Sequence, residues 1–171
     1  TVNIASRMES QGASGSIQWT TAVTWNWAGW SMAPTPVLSG THAFVVAPPA
    51  LHAVELSTHL VSWSTTGFTY AGTPAVANGV VYAISGGVLH ARDASSGAYL
   101  WGFSGDTALA NTPVVAAGHV YVSSAANTYA VSVSAGLQAW TAAVGGPLTV
   151  AANKLFVARA NGTLSAYSLT P

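Results

Sequence analysis

Charge is what this chain has least of. Its 171 residues include 4 Lys and Arg against 4 Asp and Glu, so the net charge is zero, and the charged fraction is far below the roughly 25 % of an ordinary domain. The eight are Arg7, Glu9, Glu55, Arg92, Asp93, Asp106, Lys154 and Arg159. Nucleic acid requires a basic stripe that releases counterions, and an anionic membrane surface requires a polybasic patch; neither is present. Membrane insertion is not expected either, because no apolar run reaches the roughly 18 to 20 residues of a spanning helix. Cysteine is absent, which excludes a disulfide framework and thiolate metal sites but leaves the compartment open. Sustained helical periodicity with caps is also missing, which points to an all-β domain. The chain opens Thr1-Val2-Asn3, with neither a start Met nor a signal peptide, and reads as processed or excised. A surface supplied by 19 Ser, 18 Thr and 32 Ala, with almost no Lys or Glu, is unusual in the cytosol. Export to periplasm, cell surface or medium is the expectation.

What the chain does have is repetition. Thr35-Pro36-Val37, Thr73-Pro74-Ala75 and Thr112-Pro113-Val114 recur at intervals of 38 and 39, and a degenerate Gly146-Pro147-Leu148 follows 34 later. Trp63, Trp101 and Trp140 keep the same intervals of 38 and 39. Within the unit Thr73 to Trp101, Pro74–Ala77 reads as a short strand with Pro at its start, and Asn78-Gly79 is a strong hairpin signal. Val80–Ile84, Val88–Arg92 and Ala98–Trp101 follow as strands separated by Ser85-Gly86-Gly87 and Asp93–Gly97. Four-stranded meanders repeating about every 40 residues predict a β-propeller, because one meander cannot cover both its faces and must stack on another. A Trp in the outer strand then wedges against the next blade and hides about 150 to 250 Å².

The stretch from Ala91 to Trp101, Ala-Arg-Asp-Ala-Ser-Ser-Gly-Ala-Tyr-Leu-Trp, resembles the tryptophan-docking motif of the pyrroloquinoline-quinone-like propeller repeat family. The pattern decays elsewhere: Glu55 and His59 stand at the Asp and Gly positions before Trp63, and Ser132 at the Asp position before Gly136 and Trp140. The resemblance implies a single propeller domain over residues 1–171, with blades near 35–63, 73–101, 112–140 and 146–171. It assigns Trp19, Trp63, Trp101 and Trp140 to structural docking. The last unit stops after its third strand, and Ser14-Gly15-Ser16-Ile17-Gln18-Trp19 matches Ser96–Trp101 in register, so residues 14–19 are expected to close the last blade. Three arrangements stay open: four blades that close alone, an eight-bladed ring built from two chains, and one piece of a longer ring.

No catalytic residue, metal site or cofactor is expected. Quinoprotein dehydrogenases of this fold class hold a quinone and calcium through acidic and amide side chains, and many carry a vicinal cysteine pair. Here there are four carboxylates and no cysteine, and Glu55 and Asp93 fall at equivalent turns, where local capping accounts for them. The histidine pairs His52/His90 and His42/His119 are equivalent positions of different blades. Packed sheets lie roughly 10 Å apart, too far for equivalent side chains to share one ion held near 2 Å. The one departure from the repeat is the connection after Trp19, which carries Trp25, Asn26, Trp27 and Trp30. It reads as a lid or subunit contact, or alternatively as a stacking platform for a neutral sugar with Asn26 as polar partner. The expected function is a non-catalytic scaffold holding a protein partner or its own copies; the alternative is a lectin-like module for neutral carbohydrate. The expectation that some relatives act purely as scaffolds comes from the resemblance, as in the lipoprotein of the outer-membrane barrel assembly machinery.

Overall fold

Short apolar runs punctuated by turn pairs dictate short strands. The computed structural model describes residues 19–23 and 35–169, and among them it has fifteen strands and no helix. Strands β1 (Val37–Ser39), β2 (His42–Ala47), β3 (Ala50–Glu55) and β4 (Val61–Ser64) form the first antiparallel sheet in that order. Strands β5 (Tyr70–Ala77), β6 (Val80–Ser85), β7 (Val88–Asp93) and β8 (Tyr99–Phe103) form the second. The third holds β9 (Val114–Ala116), β10 (His119–Ser123), β11 (Thr128–Ser132) and β12 (Gln138–Ala142). The fourth holds three strands, β13 (Leu148–Ala151), β14 (Lys154–Ala158) and β15 (Leu164–Ser168).

Local chemistry explains the first hairpin of the second sheet. Asn78 and Gly79 both take positive φ, 51° and 74°, the mirror-image turn whose twist matches the flanking strands. The equivalent turns Ala117-Gly118 and Ala152-Asn153 adopt the same conformation, with Ala117 at 48° and Ala152 at 47°. Alanine does not favour that region, so the ladders on either side hold it there. Strand β5 is longer than Pro74–Ala77: it begins at Tyr70, and its pairing with β6 is interrupted between Ala71 and Ala75. Gly72, at φ 75°, lies inside the interruption and lets the chain re-enter the ladder.

Each sheet carries the same transverse row. Phe44, Ala53 and Trp63 pair in sequence across the first sheet, Tyr82, Ala91 and Trp101 across the second, and Tyr121, Ala130 and Trp140 across the third. Alanine between two large rings leaves room for both to lean towards the next sheet. The first row packs on Val81 and Ala83 of the second sheet, the second on Val120 and Val122 of the third, and the third on Leu155 and Val157 of the fourth. The forward face of one sheet thus meets the back face of the next, in the stacking of propeller blades. No comparable packing joins the fourth sheet to the first among the described residues. The burial pattern reflects this: β2 and β6 are buried on both faces, whereas β14 is buried only at Leu155 and Val157, and Leu164 of β15 is 65 % exposed.

Closure of the last sheet by residues 14–19 falls mostly outside the described residues. Trp19, its one described member, lies outside any strand.

Candidate interaction surface

The docking tryptophans are held by glycine. Trp63 lies so close over Gly97 that a Cβ there would stand 2.7 Å from the indole, and its Nε1 donates to the Ala94 carbonyl at 3.0 Å. Trp101 covers Gly136 in the same way, again at 2.7 Å from a notional Cβ. Both glycines have positive φ, 73° and 67°, so the position requires glycine for backbone and for space. Trp140 meets a different environment: its ring packs edge-on against Tyr167, with centroids 4.9 Å apart. Trp19 stacks on His59 at 4.3 Å and 14° between planes, and His59 occupies the glycine position of the first sheet with φ 62°. Thr21 donates to the His59 carbonyl, and Val23 is buried against Ala43, Val45 and Ala47. Residues 19–23 therefore line the back of the first sheet. Trp25, Asn26, Trp27 and Trp30 lie outside the described residues.

The carboxylates serve their own turns. One Asp93 oxygen accepts from the amides and hydroxyls of both Ser95 and Ser96, between 2.6 and 3.0 Å. The Ser95 hydroxyl, then the Ser96 hydroxyl and amide, pull its pKa from 3.8 down to about 2. A carboxyl with a depressed pKa stabilises the fold above its ordinary value, and that contribution fades as pH falls towards the folded value. Asp93→Asn is therefore expected to melt below the wild type by a gap that is constant from pH 7 to 5 and shrinks towards pH 2. A gap undiminished at pH 2, read by thermal melts across that range, would contradict the assignment.

Asp106 joins two sheets from the connection after β8. Its Oδ2 accepts from Ser124 Oγ at 2.6 Å and Asn127 Nδ2 at 2.8 Å, and the Ser124 bond, followed by Asn127, lowers its pKa. Glu55 accepts from Ser57 and Thr41 and pairs with His42 Nε2 at 3.2 Å. His52 Nδ1 meets Ser64 Oγ at 2.7 Å, and His119 Nδ1 donates to the Ala117 carbonyl at 2.9 Å. Among the described residues no three metal-ligating side chains come together. Glu55 ends β3, Asp93 ends β7 and Asp106 lies on the connection after β8, each held by its own hydrogen bonds and not gathered with the others, so these residues do not fit a calcium-held quinone.

One cluster escaped the sequence reading. Arg92, 7 % exposed, donates from Nε to Tyr70 OH at 2.6 Å and from Nη1 to the Gly97 carbonyl at 2.7 Å. Its guanidinium lies over Phe68, Tyr70 and Tyr99, 4.9 to 5.7 Å from their centroids. His90 Nδ1 meets Tyr70 OH at 2.9 Å; burial, then the Arg92 charge, lowers the His90 pKa. The signal available in the sequence was a lone cation inside a short apolar strand. The cluster ties the connection between the first two sheets to the loop on which Trp63 docks.

Two kinds of open surface remain. Among the described residues the outer strands β4, β8 and β12 are sheet edges with exposed apolar side chains near them, including Leu60 at 67 % and Leu137 at 68 %. Unguarded edges of this kind are templates for a further strand. A cavity of about 570 Å³ opens beside Trp140, lined by Ala117, His119, Tyr121, Leu155 and Tyr167 among others.

The family described as outer membrane protein assembly factor BamB matches the chain over residues 8–101, 69–147 and 85–170. Among solved structures, BamB from Moraxella catarrhalis is similar with a TM-score of 0.66 at 21 % identity, over 76 % of this chain and 44 % of that one. The chain thus spans under half the length of that protein. The computationally designed Ika4 protein is similar at 0.68 and 11 % identity, over 86 % of this chain and 96 % of its own. The quinohemoprotein alcohol dehydrogenase from Comamonas testosteroni is similar at 0.58 and 20 % identity, over 67 % of this chain and 21 % of its own. At these identities the likeness is one of fold. No curated protein matches the sequence.

Proposed function

Since the chain belongs to the family of PQQ-like propeller repeats described as outer membrane protein assembly factor BamB, we propose that it is an exported, non-catalytic scaffold that holds another protein along its outer sheet edges. The observation that carries this reading is the set of open edges at β4, β8 and β12, flanked by exposed Leu60, Tyr99, Leu100 and Leu137. An extended segment added to such an edge gains main-chain hydrogen bonds, and alternate side chains find apolar contacts. The scarcity of charge supports it: four cations in the chain leave few of the lysines that usually guard an edge.

The test is a fluorescence-anisotropy titration with a labelled ten-residue peptide of alternating apolar and polar residues, free of proline and net charge. Saturable binding is expected, weakened at least tenfold by Leu100→Lys, which puts a charge on β8. No binding, or equal binding by the variant, would count against the proposal. Neutral oligosaccharides titrated in parallel are expected to leave the Trp fluorescence unchanged. A saturable change lost in Trp25→Ala/Trp27→Ala would replace the scaffold by a lectin-like module.

A further inference from the structure

The fourth sheet has the beginning of a row that it does not finish. Phe156 pairs with Ala166 as Phe44 pairs with Ala53, Tyr82 with Ala91 and Tyr121 with Ala130. In the other three sheets the next member is a tryptophan directly opposite the alanine. Among the described residues nothing pairs with Ala166 on that side, and β15 is the edge of its sheet. The cavity beside Trp140 lies at the same place. It is lined on one side by Trp140 and on the other by Tyr167, Ser168 and Leu169 at the end of β15, the strand whose counterparts in the second and third sheets lead into Gly97 and Gly136.

A segment that fits both vacancies exists in the chain. Gly15 precedes Trp19 by the spacing that separates Gly97 from Trp101 and Gly136 from Trp140. Trp19 also stacks on His59, the glycine-equivalent residue of the first sheet. A tryptophan docked there belongs to the outer strand of whichever sheet precedes the first. Among the described residues Trp19 belongs to no strand, nothing pairs with the outer side of Ala166, and no packing like that between the other sheets joins the fourth sheet to the first.

We infer that the β15 edge and the cavity beside Trp140 receive residues 14–19 of a second copy of this chain, with Gly15 beneath the Trp140 indole and Trp19 opposite Ala166. The join repeats a contact the molecule already makes twice, Trp63 on Gly97 and Trp101 on Gly136. Charge does not oppose it, since Lys154 is the only charged residue within the strands of the fourth sheet. Two copies related by a two-fold axis satisfy both ends at once and leave no free sheet edge at either join. The outer edges invoked for a protein partner are elsewhere, so the two proposals fail separately.

The absence of cysteine makes the test clean. In the second and third sheets and the first, the residue after the tryptophan pairs with the residue before the alanine: Gly102 with His90, Thr141 with Tyr129, Ser64 with His52. The corresponding pair at the join is Thr20 with Ser165. Paired antiparallel Cα atoms are about 4.5 to 5.5 Å apart, within disulfide reach. Chains carrying Thr20→Cys and chains carrying Ser165→Cys, mixed and mildly oxidised, are expected to form a covalent heterodimer, and the native particle to have about twice the 17.3 kDa of one chain. Gly15→Val, which would drive a side chain into the Trp140 ring, is expected to weaken association at least tenfold while the circular dichroism spectrum is retained. A disulfide formed only within the double-cysteine chain would overturn the inference in favour of closure by a single chain. No cross-link in the mixture, or a particle of one chain's mass, would overturn it outright.

Discussion

Replacing Trp101 by alanine is expected to lower stability by about 3 kcal/mol, the low end of the range for large aromatic truncations because the ring is only half-buried. The indole fills the space between the second and third sheets, beside Tyr82 at 5.8 Å between centroids and above Gly136. Two of its neighbours cannot fill the hole: Gly136 has no side chain, and the Ala91 opposite is too short. For a domain of this length that loss corresponds to a melting temperature lower by about 6 to 12 °C. Gly136→Val should reach a comparable loss from the other side, since its side chain would meet the Trp101 ring and its φ of 67° disfavours any β-branched residue. The double variant is expected to cost well under the sum, because both changes break one contact. Urea denaturation followed by circular dichroism measures all three. Additive losses would mean that the two residues act separately.

Arg92→Met is the second large effect, about 2 to 4 kcal/mol destabilising. Methionine matches much of the aliphatic volume but abandons the Gly97 carbonyl and removes the donor to Tyr70 OH. It also removes the cation from above three aromatic rings, each contact of this kind contributing about 0.5 to 2 kcal/mol. Arg92→Lys should recover less than half of the loss. One ammonium cannot span both acceptors as a planar fork does, and it does not stack. His90 reports the same change independently. Its pKa is lowered by burial first and by Arg92 second, so in Arg92→Met it should move back up without reaching the ordinary value, as imidazole NMR would read. A histidine held below its ordinary pKa stabilises the fold above pH 6.5, and this contribution is lost as pH falls below it. The acid side of the stability profile should therefore steepen less in the variant. Full recovery of stability by lysine would show that charge alone, rather than the fork, holds the site.

The effects converge on one loop. Arg92 holds the Gly97 carbonyl, Asp93 gathers Ser95 and Ser96, and Trp63 sits on Gly97 with its Nε1 on Ala94. The most complete docking motif in the sequence is thus the best-braced joint between sheets. The first sheet, where Glu55 and His59 stand in its place, takes Trp19 by ring stacking instead.

The four strand groups, their antiparallel order and the strong turn at Asn78-Gly79 were written in the sequence, because each depends on neighbours a few residues apart: alternation, turn pairs, and tryptophans at intervals of 38 and 39. The repeat also marked Trp63 and Trp101 as a pair of equivalent residues. Three features came only from tertiary structure. Arg92 lies over Phe68, in the connection between the first two sheets, and Tyr70, the first residue of β5, both more than twenty residues before it. Ala117 and Ala152 turn left-handed because two ladders close on them, against their own preference. Trp19 stacks on His59 at the glycine position of the first sheet, a contact that depends on which strand lies beside which, and no spacing along a chain records it.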